Sequence, residues 1–308
     1  MQLGSNRWGQ SILIVNPGGL GDIILMTATI REFTKKNPNV KTFVMTPFPQ
    51  VFENNPRIEG HIPLRTWHTA FILGYRRMQQ AKSAELLQAV LVYPNTLRGT
   101  VAQSYGQQLG IRVANCDPEI FLRPCELASY RRRNNVVVID TWAGWPNRRW
   151  AIGKFKALVD LLHRRGMTVI ETGKSSKDCL NNERYPPMSN SDECLIDKQN
   201  IRETAVLLAN SKLAIGNNGG FVDIAAAVST PQVVLYSGVS AWWMRGYSTT
   251  FPVCCMTTCT KCHNIQSGDG QNTQGNEGRC FNDQFCLDAE ISPEDVMETC
   301  EAHRLLDP

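Results

Sequence analysis

The apolar positions of this chain come in short blocks whose spacing switches between consecutive and helical. Residues 12–15, Ile-Leu-Ile-Val, form a consecutive apolar run of the kind found in a strand buried on both faces. The run breaks at Pro17, Gly18 and Gly19. Beyond Gly21, Ile23, Ile24, Met26, Thr27 and Ile30 resume at helical spacing, so the pattern predicts strand, glycine loop and helix. A strand at 40–45, a Pro- and Asn-rich loop at 46–56, an unpatterned stretch through 88, a strand at 91–93 and a helix at 97–109 follow. Residues 115–135 lose the pattern and, with Pro118, Pro124 and Arg131 to Arg133, read as a linker.

The rhythm then restarts. Residues 136–140, consecutive Val and Ile ending in Asp, predict a strand; a helix at 152–165 stops at Gly166, and a strand follows at 168–172. Asn200, with Glu203 three residues on, makes a capping pair for a helix at 201–210. A strand at 213–215, a second glycine loop at 217–220, an alanine-rich helix at 221–228 and a strand at 233–236 complete this half. The expected fold class is therefore α/β: two Rossmann-like domains, residues 1–130 and 131–290, with parallel sheets covered by helices. A cleft between two such domains suits a nucleotide-linked substrate. Residues 254–286 differ in kind, being rich in Cys, Gly, Asn and Gln, and such a segment does not order on apolar burial alone. In the last segment, 291–308, Ser292 is placed to cap a terminal helix with Pro293 at its first position and Glu294 and Asp295 in its first turn.

Composition adds bounds. At 308 residues and 34.5 kDa the chain exceeds the usual single-core size, which favours two domains. Hydrophobic residues at 42% and charged ones at 19% fit a soluble globular chain and exclude a disordered one. The net charge of +4 is spread over short clusters, among them Arg76-Arg77 and Arg148-Arg149, and does not imply nucleic acid; each cluster is either a solvated face or a contact for an anionic substrate. No apolar run is long enough to span a bilayer and the first ten residues lack the apolar core of a signal peptide, so a cytoplasmic protein is expected. The odd count of eleven cysteines cannot all pair within the chain.

The first glycine loop leaves N–H groups at a helix start, a ready site for phosphate or carboxylate. Asp22 in that turn either complements the helix dipole or is a carboxylate held over the carboxyl edge of the sheet, where open α/β folds bind ligands. Three stretches together carry more. Gly18-Gly19-Leu20-Gly21-Asp22-Ile23-Ile24-Leu25-Met26-Thr27, then Asn147-Arg148-Arg149-Trp150, then the block from Gly216 to Pro231 resemble, in order and spacing, the motifs of glycosyltransferase family 9, the bacterial heptosyltransferases.

The resemblance implies a GT-B fold, with acceptor on the first domain, nucleotide sugar on the second, and inverting transfer in one displacement without a metal in the chemical step. Asp22, beside Gly19 and Gly21, matches the family's general base. Arg148 stands where the family uses a lysine against the leaving diphosphate, with Arg149 a second candidate. Gly219, Gly220 and Phe221 would offer backbone N–H groups to the diphosphate, with Asn217 and Asn218 beside them. Two positions depart from the pattern: Asn218 replaces an Asp, and Asp223 replaces a His and adds charge that would repel a diphosphate unless a neighbouring cation compensates. Either the donor differs from ADP-heptose or the chain is a non-catalytic sugar-nucleotide binding or assembly protein. The implied partners are a nucleotide sugar and a saccharide, lipid-linked or protein acceptor; a lipid-linked acceptor would bring the chain to a membrane surface as a peripheral protein.

Cys259-x-x-Cys262 has the spacing of a metal knuckle, and Cys280 and Cys286 supply a second pair, a thiolate set that suits structural zinc or iron. Cys254, Cys255 and Cys300 read as packing residues.

Overall fold

Each consecutive apolar run becomes the buried centre of a parallel sheet. A computed structural model describes residues 10–64, 88–92, 99–131, 134–144, 148–174, 186–237, 247–255 and 286–307. These fall into two compact units, one within Met1–Asn95 and Val101–Phe121, the other within Thr96–Thr100 and Leu122–Pro308.

In the first unit, β1 (Ser11–Val15) is followed by α1 (Leu20–Lys36), β2 (Lys41–Thr46), a 3-10 turn at Pro49–Phe52, β3 (Gly60–Pro63), β4 (Gln88–Leu91) and α2 (Val101–Gln108). The sheet runs β3-β2-β1-β4, all parallel, with Ile12, Ile14 and Val15 inaccessible to water. Such burial on both faces is why β1 reads as an unbroken apolar run rather than an alternating one. The Thr29 hydroxyl donates to the Ala102 carbonyl at 2.8 Å, tying α1 to α2. Arg31, 9% exposed, donates to the carbonyls of Asn115 and Asp117 and pairs with Glu119, which pins the irregular run after α2 onto α1.

In the second unit come α3 (Pro124–Ala128), β5 (Val136–Asp140), α4 (Ile152–Arg164), β6 (Thr168–Glu171), β7 (Glu193–Cys194), α5 (Ile201–Ala209), β8 (Leu213–Asn217), α6 (Gly220–Ala227), β9 (Gln232–Tyr236), β10 (Thr250–Cys254), α7 (Cys286–Glu290) and α8 (Pro293–Ala302). The sheet order is β10-β9-β8-β5-β6-β7, again all parallel. Its core joins Val137, Ile139, Trp150, Phe155 and Leu158 to Leu287, Val296 and Cys300 from the last two helices. The Trp150 indole N–H donates to the Ile291 carbonyl at 3.0 Å, and burial pushes the Cys300 thiol up to about 12. Cys255 packs on this core half-buried, whereas Cys254 is exposed at the end of β10, against its reading as a packing residue.

The predicted linker holds structure. Glu126 of α3 receives two hydrogen bonds from Arg202 of α5, Nε at 2.7 Å and Nη2 at 2.9 Å, and Arg202 is 7% exposed. This fastens α3 to α5 within the second unit. At each sheet an outer strand among the described residues carries an exposed proline, Pro63 in β3 and Pro252 in β10. Among the described residues no helix is long and apolar enough to cross a membrane.

Candidate functional site

In a parallel sheet, the strand on which the order reverses leaves a crevice at its carboxyl end, because the helices after its neighbours go to opposite faces. The reversal falls between β1 and β4 in the first unit and between β5 and β8 in the second. Both glycine loops sit there, one after β1 and one after β8.

In the first unit, the side chain of Asn16, fully buried, accepts from the Gly18 N–H at 2.9 Å and so turns the backbone as it leaves β1. Gly19 is the N-cap of α1, and Asp22 in the first turn accepts from the Gly19 N–H at 3.1 Å. The carboxylate is half-buried rather than sealed in. Gly18 is required: a Cβ there would lie 2.8 Å from Asp22 Cβ and 2.9 Å from Asn16 Oδ1, backed by a buried side chain.

In the second unit, Asn217 ends β8 and uses its amide twice. Its Oδ1 accepts from the Trp150 N–H at 3.1 Å, and its Nδ2 donates to the Thr141 carbonyl at 3.0 Å. One side chain thereby stitches the end of β8 to the chain after β5 and to Trp150, two residues before α4. Gly216 makes this approach possible, since a Cβ would meet the Asp140 carbonyl at 3.2 Å and the Phe221 ring at 3.1 Å. Gly219 is the N-cap of α6 and, being glycine, gives that helix no side-chain cap of its own; the first turn of α6 is therefore where the N–H groups expected of Gly219, Gly220 and Phe221 lie. Asn218, 2% exposed, extends this buried polar edge, its own N–H donating to the Leu235 carbonyl at 3.3 Å.

The two arginines part company. Arg148 is half-exposed. Arg149 is 6% exposed, with its guanidinium 3.3 Å from the centroid of the Trp142 ring and bonded to the carbonyls of Ala143 and Gly144. Asp223, fully buried, accepts from the Tyr247 hydroxyl at 2.7 Å.

Three participants escape sequence reading: Thr141 and Trp142, which merely follow a strand, and Tyr247, which reaches Asp223 across 24 residues with no local signal. Cys259, Cys262 and Cys280 lie outside the described residues, and Cys286 opens α7. Among the described residues no group of three or more His, Cys, Asp or Glu gathers to hold a metal.

Known proteins share this fold. The solved structure of Escherichia coli ADP-heptose LPS heptosyltransferase II superposes with a TM-score of 0.68 at 15% identity, covering 96% of this chain and 98% of that one. The iron-containing dodecameric glycosyltransferase TibC from enterotoxigenic E. coli H10407 gives 0.72 at 15% identity, covering 97% of this chain and 77% of that one. In sequence, E. coli lipopolysaccharide heptosyltransferase 3 is 32% identical over 121 residues, a match that spans 37% of this chain and 34% of that relative. The model of glycosyltransferase family 9 (heptosyltransferase) matches residues 103–271, more than half of the sequence, and the chain belongs to that family.

Proposed function

We propose that the chain transfers a heptose or similar sugar from a nucleoside diphosphate donor, ADP-heptose as in its structural relatives, to a saccharide acceptor by a single inverting displacement. The observation that supports it most is the half-buried Asp22 carboxylate at the carboxyl end of β1, held by the Gly19 N–H in the first turn of α1. A carboxylate so fixed is the group assigned to the acceptor hydroxyl. It takes that proton as the acceptor oxygen attacks the anomeric carbon, and the bond to the diphosphate breaks on the opposite side.

The departing diphosphate carries growing negative charge. The uncapped N-terminus of α6 and the half-exposed Arg148 are the groups assigned to it, the first by aligned N–H dipoles and the second by a cation that never deprotonates. Asp223 is buried and accepts from Tyr247, so it is not among the groups assigned to the diphosphate. A lipopolysaccharide precursor is the acceptor class in line with the curated relative. Stabilisation by ADP-, GDP- and UDP-sugars in a thermal-shift series tests the donor, since the shift follows mass action. A shift with ADP-heptose alone and release of ADP when an acceptor saccharide is added are expected; no shift with any of the three ends the reading.

A structural zinc or iron on Cys259, Cys262, Cys280 and Cys286 belongs to the same proposal. Four thiolates close a tetrahedral site and leave no position for chemistry, so the metal would order the segment and nothing more. Both flanks of that segment are anchored in the core of the second unit, Cys255 on one side and Leu287 on the other. Elemental analysis is expected to find about one zinc or iron per chain, and finding neither removes the site.

A further inference from the structure

Arg148 and Arg149 are neighbours in sequence with different surroundings. The guanidinium of Arg149 has its face against the Trp142 indole, 3.3 Å from the ring centroid, and its edge on two carbonyls: Nε to Ala143 at 2.7 Å and Nη2 to Gly144 at 3.3 Å. Trp142 is itself 7% exposed, and its backbone N–H donates to the Asp140 side chain at 3.0 Å. The stretch from Thr141 to Gly144 leaves β5 at the carboxyl edge of the sheet, where the order of strands reverses. Asn217 holds the same stretch from the β8 side through the Thr141 carbonyl, and holds Trp150, the residue after Arg149, through its N–H.

We propose that Arg149 is a positioning residue: with Trp142 it forms a clamp that fixes the loop after β5 and so the backbone that presents Arg148 to the donor diphosphate. The proposal rests on the donor reading above and assigns the two arginines separate tasks. The chemistry of the clamp calls for arginine. A planar, weakly hydrated guanidinium stacks on an indole and donates in its own plane at the same time, whereas a lysine ammonium offers one strongly hydrated point charge. Charge alone therefore does not suffice at this position, although it would at a simple phosphate contact.

Titration of the full chain with ADP, followed by calorimetry, separates the two roles. Arg149→Lys and Trp142→Leu are each expected to weaken ADP about tenfold and the double variant no further than about tenfold, because both remove one coupled unit. Trp142→Phe keeps a ring under the guanidinium and is expected to stay within about twofold of the wild type. If Trp142→Leu binds as the wild type does while Arg149→Lys is weakened, or if the double variant loses the product of the two factors, Arg149 touches the ligand directly and the clamp is wrong. A wild type with no affinity for ADP removes the donor reading, and the clamp is then decided by trypsin cutting after Arg148. Faster cutting in Trp142→Leu and Arg149→Lys supports it, and rates equal to the wild type overturn it.

Discussion

Gly18-Gly19-Leu20-Gly21-Asp22 and Gly219-Gly220-Phe221-Val222-Asp223 are close variants of one local pattern, a glycine pair and then an acid in the first turn of a helix after a central strand. Asp22 stays half-buried and accepts from its own loop, while Asp223 is fully buried and accepts from Tyr247. The difference is one residue of helical phase. Gly19 caps α1, which makes Asp22 the third helical residue; Gly219 caps α6, which makes Asp223 the fourth. One residue turns a side chain by about 100° around the axis, enough to carry it from the loop side to the core side. Three other helices obey the same rule. Glu126, Glu203 and Asp295 are each the third residue after their caps, and each accepts from the cap N–H, at 2.8, 2.7 and 2.7 Å. A glycine loop with an acid behind it is thus two different devices, and the count from the cap decides which.

The comparison can be broken at Asp22 first. Asp22→Asn keeps an acceptor for the Gly19 N–H but removes the base, so turnover of ADP-heptose is expected to fall about 10²- to 10⁴-fold with ADP affinity within about twofold. Equal turnover would leave Asp22 as an ordinary helix cap. Next come the glycines. Gly18→Ala must displace the carboxylate that lies 2.9 Å from the new Cβ, and a shift of that kind is expected to lower kcat about 100-fold. Gly219→Ala meets nothing nearer than the Asn217 carbonyl at 3.8 Å on an extended backbone, so its urea midpoint is expected to stay within the scatter of surface substitutions, about 0.5 kcal/mol.

The buried acid answers through stability instead. Tyr247→Phe strips the phenol from an enclosed carboxylate and is expected to cost about 1.5–3 kcal/mol in urea unfolding. A neutral result would mean that Asp223 is held by its remaining surroundings. A further effect is read through its dependence on pH. Hydrogen bonds from Arg202 hold Glu126 down at about 2, against an ordinary 4.5. Its contribution is full above about 4.5 and is lost as pH falls from there through about 2, so the wild type is expected to lose stability over that window. Glu126→Gln is expected to be less stable at pH 7 and to show a shallower acid slope, both read from denaturation midpoints.

Much of this was legible beforehand, for physical reasons that vary by element. Residues 136–140 announce a doubly buried strand by composition alone, and Asn200 with Glu203 marks its helix start within a few residues, as does Ser292 with Pro293. The helix expected from 97 starts at Val101, because Gly99 takes a φ of +90° that no helix admits. The strand expected at 91–93 lies at Gln88–Leu91 instead. β3, β7 and β10 were missed: two contain proline and exposed positions, and the third is two residues long, so none carries a periodic signal. Of the proposed site, Asp22, Arg148 and the second glycine loop are readable as motifs. Tyr247 with Asp223 and Trp142 with Arg149 were not, since cross-chain pairing leaves no trace in local spacing.

The prolines on the outer strands have a consequence beyond the monomer. Pro63 and Pro252 offer no amide hydrogen, so a strand from another molecule laid along either margin would find a gap where a rung should form. Flat hydrophobic margins invite fibrils; these two are built to refuse lateral growth, which suits a chain whose sheets are otherwise rich in valine and isoleucine.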